Sequence, residues 1–288
     1  MEVKQMAGAG LLDIKRRIKS VTSTEKITKA MGLVATSKLR KAKARLKTNE
    51  YYFSNLNQIS RELVGSLDDI SDNIFIKGNG SDKKLYILIS SDSGLCGGFN
   101  SNPASYLNEK YGDTSQSVIV VGRRGLSYAK KFNHTTIAEY VDLAEEPATK
   151  DASMICKKAL TEFKNGNFGE VIIVYTKFVS SIVQETIEQK LLPIEIPDNK
   201  ENSDLYSVEC KEDEVLEAIM GSYMISNMMY AFCQSRTSEQ SARMQAMDGA
   251  SKNAQDILDS LKIEYNKIRQ FAITQEISEI VGGSEAQG

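Results

Sequence analysis

Gly94, Gly97 and Gly98 crowd the stretch SDSGLCGGFN (Ser91–Asn100), between the apolar run LYILIS (Leu85–Ser90) and Asn102-Pro103. A strand that breaks into a glycine turn ahead of a helix can cradle a phosphate. Backbone N–H groups converge at the helix start, and glycine lets the main chain close on the anion. The spacing departs from the forms this device takes. A dinucleotide fingerprint needs GxGxxG and an acid closing the second strand, whereas this turn is GxxGG and the run SVIVVG (Ser117–Gly122) is followed by Arg123 and Arg124. A P-loop would need GxxxxGK[ST], which does not occur here. Two readings stay open. In one the arginines hold the 2′-phosphate of NADP, in an oxidoreductase with helices for oligomerisation. In the other Gly94, Gly97 and Gly98 form a structural turn whose backbone needs positive φ.

Other reactive types are sparse. The single histidine, His134, lies in the polar stretch KFNHTT with no serine or cysteine signature attached, which argues against a Ser-His-Asp or Cys-His centre. Cys96, Cys156, Cys210 and Cys233 form no CxxC pair and none neighbours His134, so no zinc site is expected. They read as small, half-buried residues that a reducing compartment keeps as thiols. No metal or cofactor is expected.

The net charge of −2 hides an asymmetry: Leu11–Glu50 carries twelve Lys or Arg against three acids, and Glu201–Glu217 carries seven acids against one lysine. Charged partners are implied. KLRKAKARL (Lys38–Leu46) has the composition of a nucleic-acid-binding helix. Yet Leu39, Ala42 and Leu46 share one seam, and no aromatics interleave to stack bases. The basic face reads instead as solvated, or as matched to acidic protein loops, with Arg40, Lys41 and Lys43 as candidate partners. No nucleic acid is expected.

These residues must be positioned by elements that the apolar pattern predicts. All four prolines lie between residues 103 and 197, leaving both ends free to form long helices. In the first segment Leu11, Ile14, Ile18, Val21, Ile27, Met31 and Val34, then Leu39, Ala42, Leu46, Phe53, Leu56, Ile59 and Leu63, step by three and four, with a slip around TSTEK. In the last segment Met247, Ala250, Ala254, Ile257, Leu261, Tyr265, Ile268, Ala272, Ile277 and Ile280 form a seam ending at Gly282-Gly283. Helices of roughly 80 and 100 Å exceed a compact domain, so the two ends are expected to pair as an antiparallel coiled coil. Between them, strands at 85–90, 117–122 and 170–175 alternate with helices near 104–111, 125–132 and 150–164. SSIVQETIEQKLLPIEI adds one or two antiparallel strands. The expected organisation is an N-terminal coiled-coil helix (1–70), an α/β domain with a Rossmann-like, mostly parallel sheet (80–198), an acidic linker (199–212) and a C-terminal coiled-coil helix (213–283). Composition is that of a soluble chain, with no apolar run long enough to span a membrane and no secretory signal in the first ten residues.

ITKAMGLVATSKLRKAKARL (Ile27–Leu46), SDSGLCGGFN (Ser91–Asn100) and YNKIRQFAITQEISEIVGG (Tyr265–Gly283) together resemble the gamma subunits of F-type ATP synthases. MAGAG and RTSEQSARMQAMDGASKNA (Arg236–Ala254) extend the resemblance over nearly the whole chain. It implies a non-catalytic rotor, one copy per complex, turning inside a hexamer of alpha and beta subunits. The epsilon subunit and the c-ring would be its other partners. Such a subunit is peripheral, on the cytoplasmic side of the cell membrane, and couples proton or sodium flow to ATP synthesis. The sheet domain of that family is not known as a nucleotide site. By the same resemblance Arg269 and Gln270 match the pair engaging a loop of one beta subunit, and Thr274 and Glu276 match positions in that coupling region. Met31 and Arg243 match positions on facing helices near the acidic lever loop of beta. Three features depart from the family: five residues precede MAGAG, which makes Met6 the alternative initiator; this chain is slightly acidic; and LYSVE (Leu205–Glu209) lacks the acid the family places after a tyrosine, so no c-ring contact is assigned there. The linker is too short for the cysteine-bearing insertion of chloroplast relatives, and no thiol switch is expected.

Overall fold

The computed structural model describes residues 2–65, 73–112, 115–143, 147–194 and 212–285. The expected linker (199–212, save its last position), LYSVE and Cys210 lie outside the described residues. Helix α1 (Glu2–Gly65) opens the chain and α6 (Glu212–Glu285) closes it. Between them come α2 (Ile74–Lys77), β1 (Lys84–Ile89), α3 (Asn102–Tyr111), β2 (Ser117–Val121), α4 (Arg123–Lys131), β3 (Thr135–Tyr140), α5 (Thr149–Lys164), β4 (Glu170–Phe178) and β5 (Gln184–Leu192). The chain divides into two compact units, Met1–Val34 with Met244–Gly288, and Ala35–Arg243.

The second unit holds a five-stranded sheet in the order β3-β2-β1-β4-β5, parallel except for the antiparallel β4–β5 pair. Residues alternate across it with period two. Leu85, Ile87 and Ile89 join Ile119, Val171 and Ile173 on the face covered by Ile155 and Phe163 of α5 and by Met220 and Met224 of α6. Tyr86 and Leu88 join Val118, Val120 and Val174 on the face covered by Ala104 and Leu107 of α3 and Ala129 of α4. Strands apolar on both faces must lie centrally between helical layers, which is where the runs predicted to be strands fall. β3 is the strand the apolar pattern missed: TTIAEY is polar and half exposed, as suits a sheet edge.

Within this unit α1 and α6 pair antiparallel. Phe53 stacks on Tyr230 with ring centroids 4.1 Å apart. Fully buried Asn227 donates to the Tyr223 carbonyl at 2.8 Å and to Asn57 Oδ1 at 3.5 Å, and accepts from Gln189. A buried amide satisfied by three separate elements favours one helix register over its neighbours.

In the first unit the helices also pair antiparallel. Thr28 and Ser251 share a hydrogen bond of 2.8 Å, and a Cβ placed on Gly32 would lie 3.5 Å from that of Met247. One series of covered positions on α1 runs Leu11, Ile14, Ile18, Val21, Glu25, Thr28 and Gly32, flanked by half-buried Thr22 and Met31; on α6 one runs Met247, Ser251, Ala254, Leu258, Leu261, Tyr265, Ile268 and Ala272, flanked by half-buried Ala250. Both series step by three and four without interruption, which corrects the expected slip at TSTEK. Glu25, Thr28 and Gly32 carry the seam there, and Ile27 and Val34 are 57% and 55% exposed. Leu258 replaces Ile257 on the opposite helix, Ser60 replaces Ile59 further down α1, and Ile277 and Ile280 face outward. α6 also runs past Gly282-Gly283 to Glu285. Helical geometry outweighs a glycine pair when no turn competes.

His134 supplies a test of the sheet unit. It is buried, its Nδ1 accepts from the Gln116 N–H at 3.4 Å, and the proton is therefore on Nε2, which finds no partner. Burial holds its pKa below the ordinary 6.5. The unfolded chain binds the proton more readily, so stability is unaffected above the unfolded pKa and falls as pH drops below it, by up to about 1.4 kcal/mol per pH unit. Urea unfolding from pH 7 to pH 5 should show a shallower loss in His134→Gln than in the wild type. Parallel curves would refute this assignment.

Candidate functional site

In a sheet of this order the binding crevice lies where neighbouring connections diverge, at the carboxyl ends of β1 and β4. There the chain has placed its own helix. Gln234 Oε1 accepts from the Phe178 N–H at 2.9 Å, Ser238 Oγ donates to the Thr176 carbonyl at 3.0 Å, and Ser241 Oγ donates to the Ser181 carbonyl at 2.9 Å. From the other side the buried Arg243 reaches the glycine turn. Its Nη2 donates to Ser93 Oγ at 2.8 Å and to the Gly94 carbonyl at 3.2 Å, its Nε approaches that carbonyl at 3.4 Å, and its Nη1 pairs with Glu239 at 2.7 Å.

The turn is closed by local chemistry. Asn100 Oδ1 accepts from the Ser91 N–H and hydroxyl, and its amide nitrogen donates to the Ser93 carbonyl. Positive φ occurs at Gly97 and also at Leu95, while Gly94 and Gly98 are small for packing reasons: a Cβ at either would press on Arg124 or Asn102. The N–H groups that open α4, which could hold an anion, are taken. Arg123 N–H goes to Asp92 Oδ1 at 2.8 Å, Arg124 N–H to the Ser91 carbonyl at 3.0 Å and Gly125 N–H to Ser90 Oγ at 2.8 Å. Arg123, one of the two arginines the NADP reading would use, pairs with Asp142. Beside these groups remains a cavity of about 240 Å³, whose charged walls are Asp92, Glu239 and Arg236. Arg236 is held by Glu239 at 2.6 Å. The one cation in its lining is thus already paired, Glu239 also holds Arg243, and the remaining charged wall, Asp92, would repel a pyrophosphate. Cys96 and Cys156 are buried, and burial pushes both thiols up, Cys156 to about 12, so neither is a nucleophilic thiolate at neutral pH.

The other expected site residues fall elsewhere. In the first unit Arg269, Gln270 and Thr274 are exposed on α6, Glu276 lies two residues further along the same helix, and Met31 is half-buried on α1. Around them Ile263, Phe271, Ile273, Ile277, Ile280 and Val281 also face outward. In the second unit Arg40 and Lys41 are exposed, while Lys43 donates to Ser181 Oγ at 2.9 Å and lies 4.9 Å from the centre of the Phe178 ring. The sequence reading missed the joining of α6 to the glycine turn. The one signal for it was the run QSRTSEQSAR (Gln234–Arg243), a helical stretch with no apolar face in a segment that must cross a core.

In this α/β fold the crevice at the carboxyl ends of β1 and β4 is covered by the chain's own C-terminal helix. The chain belongs to the ATP synthase gamma-chain family. Residues 10–287 match the family model described as ATP synthase. ATP synthase gamma chains of Clostridium perfringens are 55% identical over 284 residues (98% of this chain and the whole of the relative), and that of Clostridium novyi is 50% identical over 286. Among solved structures, a chain of the Euglena gracilis mitochondrial ATP synthase OSCP/F1/c-ring assembly has the same fold. Its TM-score is 0.74 at 17% identity, covering 97% of this chain and 95% of that one. A chain of the Tetrahymena thermophila mitochondrial ATP synthase central stalk and c-ring superposes with a TM-score of 0.64 at 22% identity, over 78% of this chain and 99% of the other.

Proposed function

We propose that this chain is the central rotor of an F-type ATP synthase, coupling ion flow through the membrane sector to ATP synthesis and hydrolysis in a hexamer of alpha and beta subunits. The observation that carries the reading is the covered crevice in a chain more than half identical to gamma chains along its length. The rotor makes and breaks no bond of ATP. It acts by differential contact: an asymmetric partner that touches three identical catalytic subunits differently biases each towards a different nucleotide affinity. The contacts are made by Arg269, Gln270, Thr274 and Glu276 and, near the lever loop of beta, by Met31, with Arg40 and Lys41 facing acidic loops. Lys43 and Arg243 are engaged by their own chain. The domain roles follow: the α1–α6 pair as shaft, the sheet unit as foot beside epsilon and the c-ring. No helix among the described residues is long and apolar enough to cross a membrane. The chain is held at the membrane through the complex, on its cytoplasmic side.

Affinity purification of the tagged chain from detergent-solubilised membranes tests this. A particle of several hundred kilodaltons, on the order of ten times the chain's own mass as a hexameric head requires, with ATP hydrolysis, is the expected result. A small oligomer without ATPase activity would overturn it.

A further inference from the structure

We propose that Arg243 and the glycine turn form a latch that fixes α6 rotationally to the sheet unit, so that torque entering the sheet passes into the helix. The inference rests on the rotor reading and assigns the turn a mechanical task in place of a phosphate. Lower on α6, Leu216, Met220, Met224, Met228 and Phe232 are buried against the sheet. Apolar contacts of this kind are non-directional and, with four thioether or aliphatic side chains among them, adapt readily to small rotations. From Gln234 onward the contacts change character. Hydrogen bonds to Thr176, Phe178 and Ser181 come from β4 and the segment after it, and those to Ser93 and Gly94 come from the turn after β1. The two sets belong to different strands, so turning α6 about its axis in either direction strains one of them.

Of the side chains on α6 that make these hydrogen bonds, Arg243 lies furthest along the helix. Its fork is oriented from its own helix by Glu239, which Arg236 braces in turn. The acceptors are equally fixed: Asn100 ties down Ser91 and Ser93, and Gly94 packs against Arg124. A planar guanidinium meets a carbonyl, a hydroxyl and a carboxylate at once, which a lysine ammonium on a flexible stem cannot reproduce with the same rigidity.

The test uses the assembled complex, held by its hexamer, with catalysis arrested and a probe on the sheet unit through Ser127→Cys on the exposed side of α4. The variance of thermal angular fluctuation reports torsional stiffness. Arg243→Ala should raise the variance at least about twofold, since one of two opposed anchor sets is lost. Arg243→Lys should fall between it and the wild type, and Ser93→Ala, which leaves the arginine in place, should give a smaller rise. Ions pumped per ATP should fall in the same order. Unchanged variance in all three variants overturns the latch even if thermal stability drops, because that pattern marks a purely structural contact. Lost ATPase activity with unchanged variance also overturns it and assigns Arg243 to the hexamer. Failure of the rotor reading shows separately, as a wild-type chain that forms no complex.

Discussion

Replacing Arg269 and Gln270 together by alanine is expected to lower ATP hydrolysis by the assembled complex about thirtyfold, the equivalent of roughly 2 kcal/mol of lost charge-assisted hydrogen bonding. Both side chains are exposed in the first unit, and neither makes a contact that holds α6 to α1. Thr274 does bond to residue 270, but through the backbone carbonyl, at 2.9 Å, and so survives the substitution. Alanine also favours the helix, so the isolated chain should melt no earlier than the wild type. The effect must then appear only after assembly, as lost hydrolysis and lost ATP-driven ion pumping with the particle intact. Lys267→Ala, two positions before Arg269 and equally exposed, is the control and should behave as wild type. A double variant that hydrolyses and pumps normally would remove the pair from the coupling surface.

Gly122→Ala should strongly destabilise the sheet unit. Gly122 follows β2 and caps α4 with φ of 92°, a conformation that residues other than glycine rarely adopt. A Cβ there would lie 2.5 Å from the Ser90 carbonyl oxygen and 2.7 Å from its carbon. Neither atom can retreat, because the Ser90 N–H and hydroxyl are both bonded to the Val121 carbonyl and Gly122 N–H is bonded to Tyr140. Strain and overpacking together should cost about 3–4 kcal/mol, lowering the melting temperature by roughly 10 °C. Gly97 also has positive φ, 56°, but opens onto free space. Gly97→Ala should therefore cost only about 1 kcal/mol of backbone strain. Thermal melts that ranked the two equally would show that conformation alone, and not the clash with Ser90, sets the cost.

The central strands were legible because burial on both faces demands apolar runs, and LYILI and VIIVY have little choice of role. β3 was hidden because an edge strand needs only one covered face, and TTIAEY gives it Ile137 and Ala138 among polar neighbours. The helical seam was legible in period and misread in detail. Hydrophobicity favoured Ile27 and Ile257. The pairing instead selects residues that let two backbones approach or satisfy each other, such as Gly32 against Met247 and Thr28 with Ser251. Long-range polar contacts were beyond reach. Ser93 and Arg243 lie 150 positions apart, and nothing in either local sequence announces the other. The exposed pair Arg269 and Gln270 came from family resemblance alone, since a solvated helix face carries no internal signal of what will touch it.

The outward-facing Leu12, Ile27, Leu33 and Val34 on α1, and Ile263, Phe271, Ile277 and Ile280 on α6, also bear on how the cell must handle this polypeptide. Apolar surface meant for a partner is adhesive until that partner arrives. A chain synthesised ahead of its subunits would offer these positions to other copies of itself or to chaperones. Matched supply is then a requirement of solubility, and overproduction of this subunit by itself should yield inclusion bodies where co-production with the hexamer does not.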